Sequence, residues 1–400
     1  MTRSFWHRQH QAPDRWADVA IVGGGVVGCA VAFWLHRLRP RLRLVILEAT
    51  SLADGASGRN AGFILPGATA DFLKDCQRYG VSRARQLWHF TRQNREALLQ
   101  ELDPQRFNWE GSGALLVAGS AEEEKRLHEG AAHLRSEGVP AAFLPAAEIN
   151  RRLQAKGFRG GMFLPEAGCL DPVALVHYLA ACSEALVLTH QPVVALVPQQ
   201  TCIRLETPYG AVEAGQVVLA LNAYLPRLLP ETAAYVQPVR AQMLATLPAA
   251  HRWINSPLYT HDGFFYVRQL FSGHVLVGGA RHLHLEEEVG YVDTTTESLQ
   301  KDLERYLHAY FPQTRTLSVM CRWSGTMGFS PDGLPVIGNL AGMEGSYWVG
   351  GFSGHGMGYA FRIGRLLAEL VLDYPNPEGY TLFAPENRPT FTSAEASTAR

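Results

Sequence analysis

The chain has 400 residues, 47% hydrophobic and 18% charged, which is enough apolar material for a large core and too little charge for a disordered chain. Its 36 Lys and Arg balance 37 Asp and Glu, so no whole-chain field recruits nucleic acid or an anionic membrane. The six cysteines, Cys29, Cys76, Cys169, Cys182, Cys202 and Cys321, stand singly, which argues against a disulfide framework or a zinc site, and no other metal-ligand spacing stands out.

At about 100 to 200 residues per domain the length predicts two or three domains, with room for interleaved segments. Residues 1–16 read as a loose polar leader, followed by a short β-branched strand at 18–23. Glycines then open an apolar helix over about 26–37, and a second strand at 42–47 ends at Glu48. Strand, glycine turn, helix and strand make a βαβ unit. The uncharged stretch at 19–35 falls short of the roughly 20 apolar residues of a span and is broken by four glycines. It reads as a strand turning into a helix rather than as a signal peptide, and a cytoplasmic protein is expected.

Residues 54–62 are too glycine-rich for the interior of an element and read as a functional loop. Residues 81–102 and 120–137 are amphipathic and predict surface helices on either side of a strand at 113–118. A helix is expected from Asp171, then an antiparallel meander from 186 to 221. Strand character continues from 235 to 281, helix returns at 294–310, and a final strand at 347 leads through glycines into a helix ending near 373. Beyond Pro375 the Pro-, Ser- and Thr-rich tail is expected to be ordered only in part.

Gly23-x-Gly25-x-x-Gly28 follows a strand and opens a helix, and Glu48 closes the next strand 20 residues past the third glycine. These are the parts of a dinucleotide fingerprint. The glycines allow the turn, the approach of the pyrophosphate and the packing of helix on strand, while the acid accepts from ribose hydroxyls. A carboxylate there disfavours a 2′-phosphate, so NADP is a poor fit. The fingerprint alone leaves NAD and FAD open, but an NAD-dependent dehydrogenase leaves the loops at 55–62 and 350–358 without a role.

Those loops carry a resemblance. Residues 23–35, the loop Gly55 to Gly62, the segment Asp332-Gly-Leu-Pro-Val-Ile-Gly338 and the segment Tyr347 to Met357 together resemble the D-amino-acid oxidase/glycine oxidase superfamily, and within it the gamma-glutamylputrescine oxidoreductase type. The likeness runs in order from about 18 to 389. It implies an α/β fold: a Rossmann-like FAD-binding domain assembled from separated segments (18–80, 171–235 and 321–390), and a mainly antiparallel β substrate domain (81–170 and 236–320) facing the flavin. Residues 1–17 and 391–400 would be flexible termini. The resemblance also implies oxidation of an amine to an imine that water hydrolyses. Carried over by residue, Ser57, Arg59, Asn60 and Gly62 lie along the flavin and pyrophosphate, Val193 gives adenine its backbone, Gly325 belongs to the cofactor contacts, and Gly354, His355, Gly356 and Met357 lie beside the isoalloxazine ring. Reduction puts negative charge on that ring, and a helix beginning near Gly354 would meet it with donors worth about 0.3 to 2 kcal/mol each.

Because the cofactor carries the redox step, the protein has to position substrate, exclude water and keep the amine neutral. No triad is needed, and the fifteen histidines are not promoted as a class. The candidates for the substrate face are Tyr259, His261, Tyr266 and Arg268. Alternation puts Phe264, Tyr266 and Arg268 on one side of their strand, where an aromatic wall with a guanidinium suits a carboxylate-bearing amine. A core tyrosine and a structural ion pair are the equal alternative. Trp323 lines the site or fills the core. Non-covalent FAD is expected; the resemblance to sarcosine oxidases leaves a covalent link through Cys321 as the alternative. Some of those relatives activate oxygen with a lysine near the flavin, whereas this chain has only Lys74, Lys125, Lys156 and Lys301, none of them in the strand at 275–278. Oxygen or another acceptor, and an enzyme or a flavin-binding sensor without turnover, therefore stay open.

Overall fold

A computed structural model describes residues 15–375, 377–386 and 388–392. The chain divides into two compact units. The first takes residues up to 58, 172–238 and those from 327 onward, and the second takes 59–171 and 239–326.

The first unit is built on a parallel core. The strand Arg15–Val22 pairs in parallel with Leu44–Leu47 on one side and with Gly210–Leu219 on the other. Leu186–Leu188 extends the sheet in parallel beyond Leu44–Leu47, and Tyr347–Gly350 extends it beyond Gly210–Leu219. The sheet interior is Val- and Ile-rich, as strands buried on both faces require. The helix Val26–Leu38 packs on the helix Ala360–Val371. They approach so closely that a Cβ on Gly364 would lie 2.5 Å from the Cβ of Ala30, and Trp34 Nε1 donates to the Phe361 carbonyl at 3.0 Å.

The second unit is a sheet whose strand order is Val319–Phe329, Gln237–Thr246, Val275–Gly279, Phe265–Gln269, Leu258–Thr260, Ala114–Val117, Gly161–Leu164 and Ala142–Leu144. Hairpin pairings dominate, with one parallel pairing between Leu258–Thr260 and Ala114–Val117. The helix Glu297–Tyr310 covers one face, burying Leu299, Leu303 and Leu307 with Phe265, Val267 and Val277. The other face presents Met162 and Met243 and packs with Phe63 and Trp88.

Several expectations change. The expected boundary at 80 moves to 58, because the helix Phe72–Tyr79, which periodicity missed, packs against Val81–Glu101 and Ala121–Ser136. The other expected boundaries, after 170, 235 and 320, stand against 171, 238 and 326. The first strand begins inside the expected leader, because Arg15, Trp16 and Ala17 pair with Val212, Glu213 and Ala214. Residues 1–14 and 393–400 of the expected flexible termini lie outside the described residues. Phe391 N donates to the Ala234 carbonyl at 2.8 Å. The meander at 186–221 is antiparallel only over Ala195–Pro198, Ile203–Thr207 and Gly210–Leu219, since both its ends join the parallel sheet. Among the described residues no helix is long and apolar enough to cross a membrane.

Candidate active site

In the first unit, Gly23 sits at φ +111, and a Cβ there would stand 2.6 Å from the Ala220 carbonyl oxygen. At Gly28 a Cβ would come within 1.9 Å of the Gly23 carbonyl oxygen. The turn is therefore closed to any side chain at both positions. Ser57 Oγ accepts from Val26 N at 2.9 Å, at the first residue of the helix. Glu48 accepts from Gly24 N at 2.7 Å and from Thr50 N at 2.9 Å. Thr50 Oγ1 also donates to Oε1 at 3.2 Å, so with two lone pairs per carboxylate oxygen the capacity kept for a hydroxyl lies on Oε2. The first turn of Val26–Leu38 carries no acidic residue and Gly25 offers no side-chain cap, which leaves helix-start donors for an anion. Gln191 N donates to the Glu48 carbonyl at 2.8 Å, which brings the segment before Val193 alongside the acid; Val193 itself is half-buried. Cys29, on the same helix, is inert: burial pushes its thiol up to about 12.

The glycine loop at 350–358 follows the strand Tyr347–Gly350. Gly351, Ser353 and Gly354 all have positive φ, at +74, +49 and +85. The helix expected to begin near Gly354 starts as a 3-10 turn over Gly356–Gly358, with the α-helix running from Ala360. His355 takes the cap position of that turn and Met357 is buried. A Cβ on Gly354 would meet only Met327 Sδ, at 3.6 Å.

In the second unit the remaining residues of the 54–62 loop are tied down. Arg59 pairs with Asp293 at 2.6 Å and donates to the Ser324 carbonyl at 3.0 Å. Asn60 Oδ1 accepts from Gly62 N at 2.7 Å, and Gly62 sits at φ +76. Trp323 Nε1 donates to the Arg59 carbonyl at 3.0 Å. A Cβ on Gly325 would stand 3.0 Å from that of Arg59.

Tyr259 and Tyr266 are direct cross-strand partners, with ring centroids 5.9 Å apart, and Phe63 lies 5.2 Å from Tyr259 and 6.4 Å from Tyr266. Trp323 and Leu276 border the same extended hydrophobic cluster, while the rings brought directly together are those of Phe63, Tyr259 and Tyr266. Burial pushes both phenols well above their ordinary range, opposed at Tyr266 by the positive charge of Arg281. Both hydroxyls stay protonated at any working pH.

Arg268 does share the face of Tyr266, and both of its terminal nitrogens are held by the chain itself, while its buried Nε has no acceptor among the described residues. Nη1 donates to the Ala61 and Leu170 carbonyls at 2.9 and 2.8 Å, and Nη2 donates to Glu110 at 3.0 Å. The chain's own acceptors thus hold the terminal nitrogens of this buried guanidinium, the arrangement a structural ion pair with Glu110 requires. His261 goes elsewhere. Its ring lies 5.5 Å from Phe265, 5.8 Å from Tyr306 and 5.9 Å from Tyr310, in the cluster under Glu297–Tyr310. Burial lowers its pKa, aided by nearby His282. It is a packed, neutral histidine apart from the tyrosine wall.

Four residues escaped the sequence reading. Glu110 holds both Arg268 and Arg252, and Asp293 holds Arg59; neither stands in a motif. Gly278 pairs with Tyr266, and a Cβ on it would lie 2.3 Å from the Tyr266 ring; a glycine inside a strand was the available signal. Arg281 follows the strand Val275–Gly279 on a left-handed Ala280 and lies 5.9 Å from the Phe264 ring. Burial lowers its pKa more than nearby Glu288 restores it.

Comparison with known proteins gives this geometry a family. Residues 18–370 match the family described as FAD dependent oxidoreductase, DAO. The chain belongs to that family. This FAD-dependent oxidoreductase is 26% identical to the gamma-glutamylputrescine oxidoreductase of Escherichia coli, over 92% of this chain and 89% of that protein. It is 27% identical to the glycine oxidase of Geobacillus kaustophilus, over 88% of this chain and 92% of that one. Among solved structures, the Geobacillus kaustophilus glycine oxidase superposes with a TM-score of 0.77 at 24% identity, covering 90% of this chain and 95% of that one. An L-proline dehydrogenase from P. horikoshii superposes with a TM-score of 0.76 at 21% identity, over 90% and 94%. The fold is that of these flavoenzymes and the cofactor is FAD. The residues fit the group: a side-chain-free turn, helix-start donors without a competing acid, and a carboxylate at the next strand end suit a diphosphate joined to a ribose.

Proposed function

We propose that this oxidoreductase oxidises the C–N bond of an amine or amino acid. The substrate carbon gives up a hydride, its nitrogen gives up a proton, and the resulting imine takes up water to yield a carbonyl compound and the free amine or ammonia. FAD supplies the two-electron acceptor for that hydride. The backbone around Gly23, Gly25 and Gly28 holds the pyrophosphate, Glu48 the ribose and Val193 the adenine. Ser57 fixes the helix start, while Arg59, Asn60, Gly62 and Gly325 shape the loop along the cofactor. Gly354, His355, Gly356 and Met357 offer backbone to the ring. Cys321 is exposed, and the flavin is held without a covalent bond.

The observation that carries the substrate class is the wall of Phe63, Tyr259 and Tyr266, whose hydroxyls burial keeps neutral. Such a wall excludes water around a neutral amine and adds no charge of its own. Arg281, beside Tyr266, takes over the carboxylate-binding role that strand alternation assigned to Arg268. Two relatives, a gamma-glutamylputrescine oxidoreductase and a glycine oxidase, are named for amine-bearing compounds. The test is anaerobic: purified yellow protein is given primary, secondary and amino-acid amines, and bleaching of its visible flavin absorbance identifies the class. Full FAD occupancy with no bleaching across the panel defeats the proposal.

A second reading concerns the acceptor. Lys74, half-buried, pairs with Asp262 at 3.3 Å, exposed Lys125 with Glu129 at 4.0 Å and exposed Lys301 with Glu297 at 2.5 Å, and Lys156 is exposed after the helix Ala146–Leu153. No lysine is offered to activate oxygen, which favours a dehydrogenase passing electrons to another acceptor. Stoichiometric peroxide at each turnover would overturn it; fast reduction of a dye with little peroxide supports it.

A further inference from the structure

We propose that Arg388 is a latch that sets the shape of the flavin loop from the C-terminal end of the chain, making it a positioning residue for the cofactor. The proposal rests on the reading above, in which residues 351–358 lie beside the flavin ring.

The guanidinium of Arg388 is nearly sealed, with 4% of its side chain exposed, yet it lies near the end of the described chain. Its Nε donates to Asp332 Oδ2 at 3.0 Å while Nη2 donates to Asp332 Oδ1, the two-pronged fork that fixes a carboxylate in orientation as well as position. The remaining donors reach the Leu334 carbonyl at 2.8 Å, the Pro335 carbonyl, and the Phe383 carbonyl at 3.5 Å. One side chain thus grips the whole turn from 332 to 335. Asp332 turns inward as well as outward: its Oδ1 accepts from Leu334 N at 3.2 Å. Phe391, three residues on, fastens the strap to the Ala234 carbonyl.

From that turn a chain of hydrogen bonds leads into the glycine loop. Ser330 Oγ donates to the Leu334 carbonyl at 2.6 Å, and Ser330 N donates to Ser353 Oγ at 3.1 Å. Ser353 Oγ in turn donates to the Gly351 carbonyl at 3.2 Å, and its N–H reaches the Gly328 carbonyl at 2.8 Å. Gly351 N donates to Asn222 Oδ1 at 3.1 Å. Ser353 holds φ +49 between Gly351 and Gly354 at +74 and +85. A serine in the left-handed region persists only when its surroundings over-determine it. The surroundings here are the Ser330 bond and the Asp332 turn behind it, and Arg388 closes that turn. Arg388 and Ser353 share no direct contact, so any effect of one on the other travels through this relay.

The test uses the FAD-loaded protein. FAD dissociation constant, visible absorption fine structure, flavin midpoint potential and melting temperature are measured for Arg388→Met, Arg388→Lys, Ser353→Gly and the double variant Arg388→Lys/Ser353→Gly. The latch predicts that Arg388→Met weakens FAD binding at least about tenfold and shifts the potential, and that Arg388→Lys recovers part of the loss because it keeps the charge but not the fork. It predicts that the double variant is no worse than the weaker single variant. If Arg388→Met fails to fold, the lysine variant and the double variant carry the test. Arg388 variants with parental FAD affinity and potential and only a lower melting temperature overturn the latch, as does strict additivity in the double variant. Gly354→Ala separates the two levels: no change in affinity, spectrum or potential defeats the loop reading itself, whereas a change there with silent Arg388 variants defeats the latch alone.

Discussion

The two units hold their chemistry in different materials. In the first, the site is made of backbone: Gly23 and Gly28 leave no space for a side chain, and Val26 N and Gly24 N meet Ser57 and Glu48. In the second, the proposed substrate wall is made of side chains brought from distant strands, with Phe63, Tyr259 and Tyr266 in contact. A backbone site is written in local spacing, because the residues that shape it are neighbours in the chain. A side-chain site depends on register and on which competing partner reaches each group first.

Arg268 offers the sharpest way to break this contrast. If it bound substrate, Arg268→Met would raise KM and leave the fold alone. The geometry requires the opposite, since the substitution leaves Glu110 with Arg252 as its one remaining partner among the described residues and strands the Ala61 and Leu170 carbonyls. Removing one partner of a buried pair costs about 3 to 5 kcal/mol. Denaturant unfolding of the variant should show that loss; wild-type stability with a raised KM would restore the substrate role. Next in size is Gly28→Ala, whose Cβ has no place 1.9 Å from a carbonyl oxygen. Backbone must shift at the turn, at a cost of about 1 to 3 kcal/mol or more, and the protein should purify depleted of FAD, read as the ratio of visible to ultraviolet absorbance.

The contrast also explains how much could be read without coordinates. The βαβ unit, Glu48 and the helix Val26–Leu38 followed from spacing and periodicity. So did the shared face of Tyr266 and Arg268, because strand alternation is a local rule. What escaped is competition among distant groups. Nothing near Arg268 in the chain announces that Glu110, 158 positions away, will claim it. Nothing near His261 announces that Tyr306 and Tyr310 will enclose it. The helix Phe72–Tyr79 was missed for a related reason: Asp75 is fully buried in it, which breaks the expected apolar stripe.

That aspartate gives a prediction of intermediate size. Asp75 accepts from Ala68 N at 3.0 Å, Thr69 Oγ1 at 2.7 Å and Trp88 Nε1 at 2.8 Å, yet burial raises its carboxyl to about 6 from 3.8. The folded state therefore binds the proton more tightly than the unfolded chain. Stability from this group is complete below about pH 4 and is lost as pH rises through about 6, a change on the order of 3 kcal/mol. Asp75→Asn keeps an acceptor for Ala68 and Trp88 and can donate to the Thr69 hydroxyl, so it should remove this slope. Unfolding free energies of the two proteins from pH 4.5 to 7.5 check it (a range of about 3 units,): the difference should grow in favour of asparagine as pH rises, and parallel curves refute the assignment.

The smallest effect tests the wall through the one backbone feature it depends on. Gly278 lies opposite Tyr266, and its missing Cβ is what lets the ring rest on the sheet, since a methyl there would stand 2.3 Å from Cε2 and 2.6 Å from the hydroxyl. The glycine is not in the positive-φ region, so Gly278→Ala strains no backbone and only pushes a ring that can rotate. Stability should fall by about 1 kcal/mol or less, FAD should stay bound, and the amine KM should rise several-fold because Tyr266 leaves its place beside Phe63 and Tyr259. Tyr266→Phe is the control: it keeps the ring and removes a hydroxyl that never ionises in the working range, so its pH profile should match the parent. If Gly278→Ala leaves KM untouched while Tyr266→Phe alters the pH profile, the tyrosine acts through its hydroxyl rather than as a wall, and the distinction between a backbone site and a packed aromatic surface has to be redrawn at that residue.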